Sequence, residues 1–379
     1  IILPFSNSYI YRVGLDLDLC TFIDNVGENA TGNDGHAIFG IRAASFEGTS
    51  IYGSTFCGLE GQFDSNDTYN DEGFNGITTD CTDSDSDLRP DDLDQCDGFD
   101  EDLNQTGWAD CAEEENEDGS WTYYVKAGTQ IGPAIHIAND GDTVHLLEGD
   151  FNERIDLTGK QITLKGTINQ KTGEHLSRII PDASEAVYGA IRLNSNTLCT
   201  IEDLVITGVY TGSSSYISGG VYCYSSATEF NNCIFDSCVG TNGGAVYIYG
   251  SGAAGLPSFT DCQFINNEAT GAGGAIMIRN TGTIGTVSMS GCIFESNTAS
   301  GTCGGIFIAP FSNSYIYRVG LDLDLCTFID NVGAGNDAYA IYGIRAASFE
   351  GTSIYGSTFC GLEGQFDSND TYNDEDFNG

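Results

Sequence analysis

Seven aspartates at short, fixed offsets are the most chemically pointed feature of the chain. The run "DCTDSDSDLRPDDLDQCDGFDEDLN" opens on Asp80. Asp83, Asp85 and Asp87 then alternate as D-x-D-x-D, and Asp97, Asp100 and Asp102 follow as D-G-x-D-x-D. Carboxylates this dense repel one another unless a hard cation shares them. An all-oxygen donor set of this kind suits Ca2+, which takes about 6–8 oxygen ligands. Asp80, Asp83, Asp85, Asp87, Asp97, Asp100 and Asp102 are therefore the expected metal ligands, and Ca2+ the expected cofactor. The competing reading is a solvated acidic linker. The regular offsets between Cys81 and Cys96 favour the ion. "DSNDTYNDE", at 64–72 and again at 367–375, is a lesser source of ligands.

Little else is spaced for catalysis. His36 falls where a second copy of its segment has Tyr339, so that position does not demand imidazole. His136 belongs to a short helical pattern, His145 to a strand and His175 to a loop, and none has a metal-ligand partner at useful spacing. There is no Cys-His nucleophile and no phosphate-binding loop. The basic residues gather at Arg154, Lys160, Lys165, Lys171, Arg178 and Arg192, where they are expected to pair with local acids. The chain is expected not to be an enzyme.

A net charge of −42, from 13 basic and 55 acidic side chains, excludes nucleic acid and anionic membrane surfaces as partners. A polyanionic substrate is excluded too, unless cations intervene. No apolar run approaches the ~18 residues of a membrane helix, so no membrane insertion is expected. The opening "IILPFSNSYI" lacks the basic n-region of a signal peptide. The 14 cysteines are many for a reducing compartment and favour export. Sequons at Asn29, Asn66, Asn104 and Asn369 point weakly the same way. An extracellular or cell-surface location is expected.

The elements that must position these groups are repeats of two lengths. "PFSNSYIYRVGLDLDLCTFIDNVG" occupies 4–27 and again 310–333, and the match resumes from Gly40 and Gly343, so residues 1–76 pair with 307–379. This reads as one period of a tandem array plus part of the next. A shorter repeat runs inside it. "CIFDSC" starts at Cys233, "CQFINN" at Cys262, "CIFESN" at Cys292 and "CTFIDN" at Cys326 and Cys20, with Leu204 and Ser357 in the same phase. From Leu204 onward the spacings are 29, 29, 30, 34 and 31 residues. A Gly-Gly beat falls between them, at Gly219, Gly243, Gly273 and Gly304, with a looser version at Ala338.

In each C-x-F the first and third side chains share one face of a strand. Cys and Phe are expected inward, and Ile234, Gln263, Ile293 and Thr327 outward. One such strand cannot bury its face alone. A chain that returns to phase every ~30 residues can stack strand on strand about 4.8 Å apart. The cysteines then form a buried thiol ladder, and Asn25, Asn267, Asn297 and Asn331 a ladder of side-chain amides bonded to one another and to turn backbone. Gly-Gly marks bends where no Cβ is tolerated. "QIGPAIHIAND" at 130–140 is the best helix candidate, with Ile131, Ala134, Ile135 and Ala138 on one face.

Three resemblances attach to these residues. The alternation of F-x-x-N with G-G-A-[ILV], over roughly 200–364 and 1–60, resembles the repeat of polymorphic outer-membrane proteins and related surface proteins. "AIHIANDGDTVHLLEGDFNERIDLTGKQITLKG" resembles the opening of pectate-lyase-like right-handed parallel β-helices, where a short helix plugs the first coil. The acidic run resembles the metal-binding motif of MopE-type surface proteins. That motif maps onto Asp80, Cys81, Asp83, Asp85, Asp87, Pro90, Cys96, Asp97, Gly98, Asp100 and Asp102. After Asp102 "LNQ" replaces the Cys-Asp-Gly that the motif implies, and Cys111 is a candidate for the displaced cysteine. The last ligand and the disulfide pairing stay open, Cys81 with Cys96 being one option.

The expected fold is all-β: a single-stranded right-handed parallel β-helix of about nine coils, some 40–45 Å long, with a short N-terminal capping helix and an acidic, Cys-containing insert. The expected divisions are 1–60, last coils of a preceding β-helix repeat; 61–120, an acidic Ca2+-binding joint; 121–364, the β-helix; and 365–379, the start of the next joint. Such a chain is expected to be a structural repeat unit of an extracellular fibre or adhesin. Its partners would be copies of itself, and surface glycans. The alternative is a carbohydrate-active β-helix enzyme, a polysaccharide lyase or hydrolase, or a glycan-binding module.

Overall fold

Short β-branched and aromatic runs between Gly and Asn cannot build long strands, so the sheets must grow by stacking many short ones. The structure, a computed structural model, describes residues 113–181, 188–194, 197–210, 212, 217–250, 255–280, 285–309, 319–334, 340–343, 353–360 and 373–374, together with the strands at 16–18, 21–23, 50–52, 55–57, 70–71 and 76–78. The chain falls into two compact units, 1–114 with 128–137, and 115–127 with 138–379.

The second unit is a right-handed parallel β-helix. Its largest sheet has eleven strands, beginning Glu113–Glu115, Trp121–Val125, Thr143–Leu146, Thr163–Lys165 and Thr200–Glu202. It continues through Glu229–Asn231, Ser258–Thr260, Gly285–Ser290, Val319–Asp324 and Ser353–Tyr355 to Asn373–Asp374. We call this the first face. The second face has eight strands, from Gly149–Phe151 to Thr358–Cys360, and carries the C-x-F segments. The third has seven, from Ile155–Asp156 to Ile341–Gly343, and a four-stranded strip from Val239–Gly240 to Val332–Gly333 lies between second and third in chain order. Nine first-face strands fall between 121 and 355, matching the expected number of coils.

The inward residues stack by type. On the second face Phe235, Phe264, Phe294, Phe328 and Phe359 follow one another with ring centroids 4.5–4.9 Å apart. On the first face Phe230 stacks on Phe259 at 4.9 Å, and the two columns meet edge to face, as at Phe259 and Phe264. Each buried Phe contributes roughly 2–3 kcal/mol, and each well-stacked pair about 1 kcal/mol more. Ile234, Gln263, Ile293 and Thr327 align outward in register, as their alternation requires.

Two corners recur along the later coils, each made by one residue in the left-handed region. At the first-to-second-face corner these are Asp203, Asn232, Asp261, Gly291, Leu325 and Gly356; at the next they are Ser237, Asn266, Ser296 and Asp330. Asn, Asp and Gly tolerate that conformation, so the polar punctuation of the sequence has a steric cause.

Directly after these corners come the two polar columns. The thiols of Cys233, Cys262, Cys292 and Cys326 are fully buried and donate to the carbonyls of Ile201, Phe230, Phe259 and Met289 on the preceding coil. Leu204 and Ser357 occupy the ends of this column, and Ser357 Oγ accepts from Cys326 N at 3.1 Å. The asparagine ladder forms as expected at Asn267, Asn297 and Asn331; Asn25 lies outside the described residues.

The Gly-Gly beat forms bends, but its phase slips. The register sets Gly219 beside Gly244, Gly274 and Gly304, so the pair Gly243–Gly244 is followed by Gly273–Gly274 and then by Cys303–Gly304. The second position is glycine at 219, 244, 274 and 304, and each meets backbone. A Cβ on Gly274 would lie 2.3 Å from Gly304 O and 2.5 Å from Thr298 O. The first position tolerates a donor: Cys303, at φ +64°, gives its thiol to Ile306 O across 3.1 Å. Outside the tube, Tyr247, Met277, Cys303, Phe307 and Ala309 form a separate buried cluster on the third face.

The first unit contains the helix Gly132–Ile137 and two three-stranded parallel sheets. Ile131, Ala134, Ile135 and Ala138 are all buried, as the helical spacing requires. One sheet joins Asp16–Asp18, Ser50–Tyr52 and Asn70–Asp71; the other joins Thr21–Ile23, Thr55–Cys57 and Gly76–Thr78. The two copies of the long repeat thus form the same strands in the same register. Asp16 pairs with Ser50 as Asp322 does with Ser353, and Phe22 with Phe56 as Phe328 does with Phe359. Strand pairing continues past residue 60 to Gly76–Thr78, and past 364 to Asn373–Asp374. Among the described residues no helix is long and apolar enough to cross a membrane.

Candidate functional site

Inward positions are spent on the core, so any chemistry of this solenoid belongs to outward ones. The leading outward column of the second face reads Asp150, Arg178, Val205, Ile234, Gln263, Ile293, Thr327 and Thr358, so its ionisable groups are one Asp-Arg pair on the first two coils. The first face differs. Its strands read Thr-Tyr-Tyr, Thr-Val-His, Thr-Leu-Lys and Thr-Ile-Glu, with the middle residue buried. Register therefore lines up two outward columns. One is Thr122, Thr143, Thr163 and Thr200; the other is Tyr124, His145, Lys165, Glu202 and Asn231. Phenol, imidazole, ammonium, carboxylate and amide stand on five successive coils, about 4.8 Å apart.

Each of the central groups is held in place. Lys165 Nζ reaches Glu202 Oε1 at 2.6 Å and Asp203 Oδ2 at 3.7 Å, and the Glu202 hydrogen bond raises the pKa of the ammonium. Asn232 Nδ2 donates to Asp203 Oδ1 at 2.7 Å, and His175 Nε2 lies 2.6 Å from Asn232 O. His145 Nε2 lies 3.1 Å from Thr167 Oγ1, whose own hydrogen goes to Leu146 O at 3.0 Å. The Thr167 hydroxyl therefore accepts, Nε2 carries the imidazole proton, and Nδ1 keeps the lone pair. Burial, then the nearby Lys165 charge, pushes the His145 pKa below its ordinary value, against the pull of Asp203 and Glu202. The ring is neutral at physiological pH, and Tyr124 lies beside it with centroids 5.3 Å apart.

This row lies outside the C-x-F strands, so their alternation does not reveal it. The signal that finds it is the Thr-φ-x beat at 122, 143, 163 and 200, where φ is apolar and x is chemically active. The basic residues divide. Lys165, Arg178 and Arg192 pair with Glu202, Asp150 and Asp156, as expected. Arg154 donates to the carbonyls of Tyr188 and Val209, and Lys160 to that of Ala138, so these two also tie down backbone.

The seven aspartates at 80–102 lie outside the described residues, as do Cys81, Cys96, Cys111, His36 and the four sequons. Among the described residues no three His, Cys, Asp or Glu side chains are placed to hold a metal ion. Among the described residues nine cysteines are free thiols, and eight of these are buried in the solenoid. No family model matches the chain, and no curated protein matches it.

Proposed function

We propose that this chain is a structural repeat unit of an extracellular fibre or adhesin. Solenoids supply stiff rods that associate end to end with copies of the same chain. The acidic 61–120 segment acts as a joint, with Ca2+ shared among Asp80, Asp83, Asp85, Asp87, Asp97, Asp100 and Asp102. The observation that carries this reading is the shared register of the two repeat copies, Phe22 on Phe56 and Phe328 on Phe359. A sequence that folds to the same coils in two places is a structural period, and such periods extend by stacking. The large negative charge fits a joint that needs cations to close.

Sedimentation velocity with and without millimolar Ca2+ tests the joint. Added Ca2+ is expected to drive association, and EDTA to reverse it. A chain that sediments as the same monomer in both conditions and takes up no heat on Ca2+ titration contradicts the reading.

A further inference from the structure

Four thiols stand on four successive coils, each just before a second-face strand. Gln263, Ile293 and Thr327 donate their backbone N–H groups to the carbonyls of Cys233, Cys262 and Cys292, so these three cysteines and Cys326 are in register. Each Sγ lies 3.4–3.5 Å from a carbonyl of the preceding coil and 3.4–3.5 Å from the carbonyl two residues back in its own. The thiols are therefore translated copies of one another. The phenylalanines two residues on measure the translation: Phe235, Phe264, Phe294 and Phe328 step by 4.7, 4.5 and 4.5 Å. Two collinear metal–thiolate bonds of about 2.3 Å span about 4.6 Å. We propose that adjacent thiols of this column bind Hg2+, a soft ion that two sulfurs in line satisfy, one ion to Cys233 with Cys262 and one to Cys292 with Cys326.

The column selects by geometry and by charge. A disulfide needs Cβ atoms about 3.8 Å apart, closer than coils held at 4.5–4.7 Å allow. Among the described residues no three His, Cys, Asp or Glu side chains are placed to share an ion, so the tetrahedral demand of Zn2+ goes unmet. Two thiolates and Hg2+ carry no net charge. A monovalent soft ion such as Ag+ would leave one negative charge in the tube, where among the described residues no Lys, Arg or His is buried to balance it. An uncompensated buried charge carries a heavy desolvation cost. Two S–H protons pass to solvent as two S–Hg bonds form, and nothing is oxidised or reduced.

Other described cysteines lack such a neighbour. Cys223 lies between Leu193 and Ile248, Cys238 is followed by Asn267, and Cys199 by Thr228. Cys303 stands beside Gly273, and Cys360 beside Ile329. The four column thiols are fully buried, so the ion enters before the coils close on one another, and the closed coils keep it. Leu204 and Ser357 occupy the same column, so the position folds without a thiol. This binding stands apart from assembly, and either can hold without the other.

Refolding the full chain from urea with excess Hg2+ tests the proposal. Excess glutathione then strips ions from accessible thiols, and mass spectrometry under native conditions counts those that stay. Cys262→Ser/Cys292→Ser leaves no two column thiols adjacent, whereas Cys233→Ser/Cys326→Ser keeps the pair Cys262 and Cys292. The parent is expected to keep two more ions than the first variant, and the second variant one more. Both variants hold the same number of thiols, so thiol count alone predicts equal retention. Alanine at the same positions gives a second pair of variants, with the same order expected. The extra ions should show two sulfurs each, at about 2.3 Å, in the difference X-ray absorption spectrum. Equal retention by the two double variants, a parent that keeps no more than the first, three or four sulfurs per extra ion, or retention of Ag+ in preference to Hg2+ would overturn it.

Discussion

Asn267 and Asn297 are joined side chain to side chain inside the solenoid. Asn267 Nδ2 donates to Asn297 Oδ1 across 2.8 Å, and the same oxygen accepts Asn267 N at 3.0 Å. Asn297 Nδ2 in turn donates to Asn331 Oδ1 at 2.7 Å and to Phe264 O at 2.8 Å. One amide thus bonds the corner of the coil before it and the ladder amide of the coil after it, with no water needed. A turn buried this deeply would otherwise leave backbone groups without partners, at about 1–3 kcal/mol each.

Asn297→Ala should therefore cost more than a surface asparagine. It strands the Asn267 backbone N–H and one Nδ2 hydrogen of the same fully buried residue, while Asn331 Oδ1 keeps the Asn297 N–H. We expect a loss of about 3 kcal/mol, read as a lower urea midpoint. Amide exchange should rise first at 263–269 and 293–299, since each coil leans only on its neighbours. A variant within 0.5 kcal/mol of the parent, inside the range of a neutral surface change, would contradict the account of the ladder.

Leu325 stands at the corner where other coils place Asp203, Asn232, Asp261, Gly291 and Gly356. It carries φ +53° and is 59 % exposed. Left-handed backbone costs a non-glycine residue roughly 1–2 kcal/mol. Leu325→Gly should raise stability by about 1 kcal/mol after the unfolded chain's added freedom is subtracted. A lower thermal midpoint for this variant would show that the exposed leucine contributes packing that the corner needs.

The core thiols should be inert in the native state. Burial pushes Cys199 up to about 11 and Cys238 up to about 12 and raises Cys223 and Cys262, while the hydrogen bond with the preceding thiol, then burial, raises Cys292 and Cys326. The thiolate is the reactive form, so iodoacetamide should label Cys360 readily and the other eight described cysteines only after denaturation. Peptide mapping by mass spectrometry reads the outcome directly. Rapid native labelling at Cys262 or Cys292 would mean that the stacked core opens.

His145 gives stability a pH dependence of known sign. Its folded pKa lies below the ordinary value of 6.5. As pH falls through the unfolded value, the unfolded chain takes up the proton more readily than the folded one, and stability drops. The drop continues until pH reaches the depressed folded value. His145→Gln should flatten this part of the curve between neutral pH and about pH 5. Equal slopes for the two proteins would show that the ring is not held neutral by its surroundings.

The fold was legible because stacking imposes a strict period, and Cys233, Phe235 and Asn267 announce that period in their own letters. The helix was legible from Pro133 and from the spacing of Ile131 and Ile135. The phase of the Gly-Gly bends was not. Gly304–Gly305 looks like Gly273–Gly274, yet register pairs Gly273 with Cys303, because a thiol can hydrogen-bond where a glycine merely avoids a clash. The row from Tyr124 to Asn231 was hidden for another reason. Its members differ in chemistry from coil to coil, so no residue type repeats within it, and the phase is kept by the flanking threonines and the buried Tyr123, Val144, Leu164 and Ile201.

Electron microscopy of the native material tests the central claim most directly. The account predicts unbranched fibres in Ca2+, with an axial repeat of one solenoid plus one joint, which disperse in EDTA. Uniform single particles of this chain's mass, in Ca2+ and at high concentration, would contradict it.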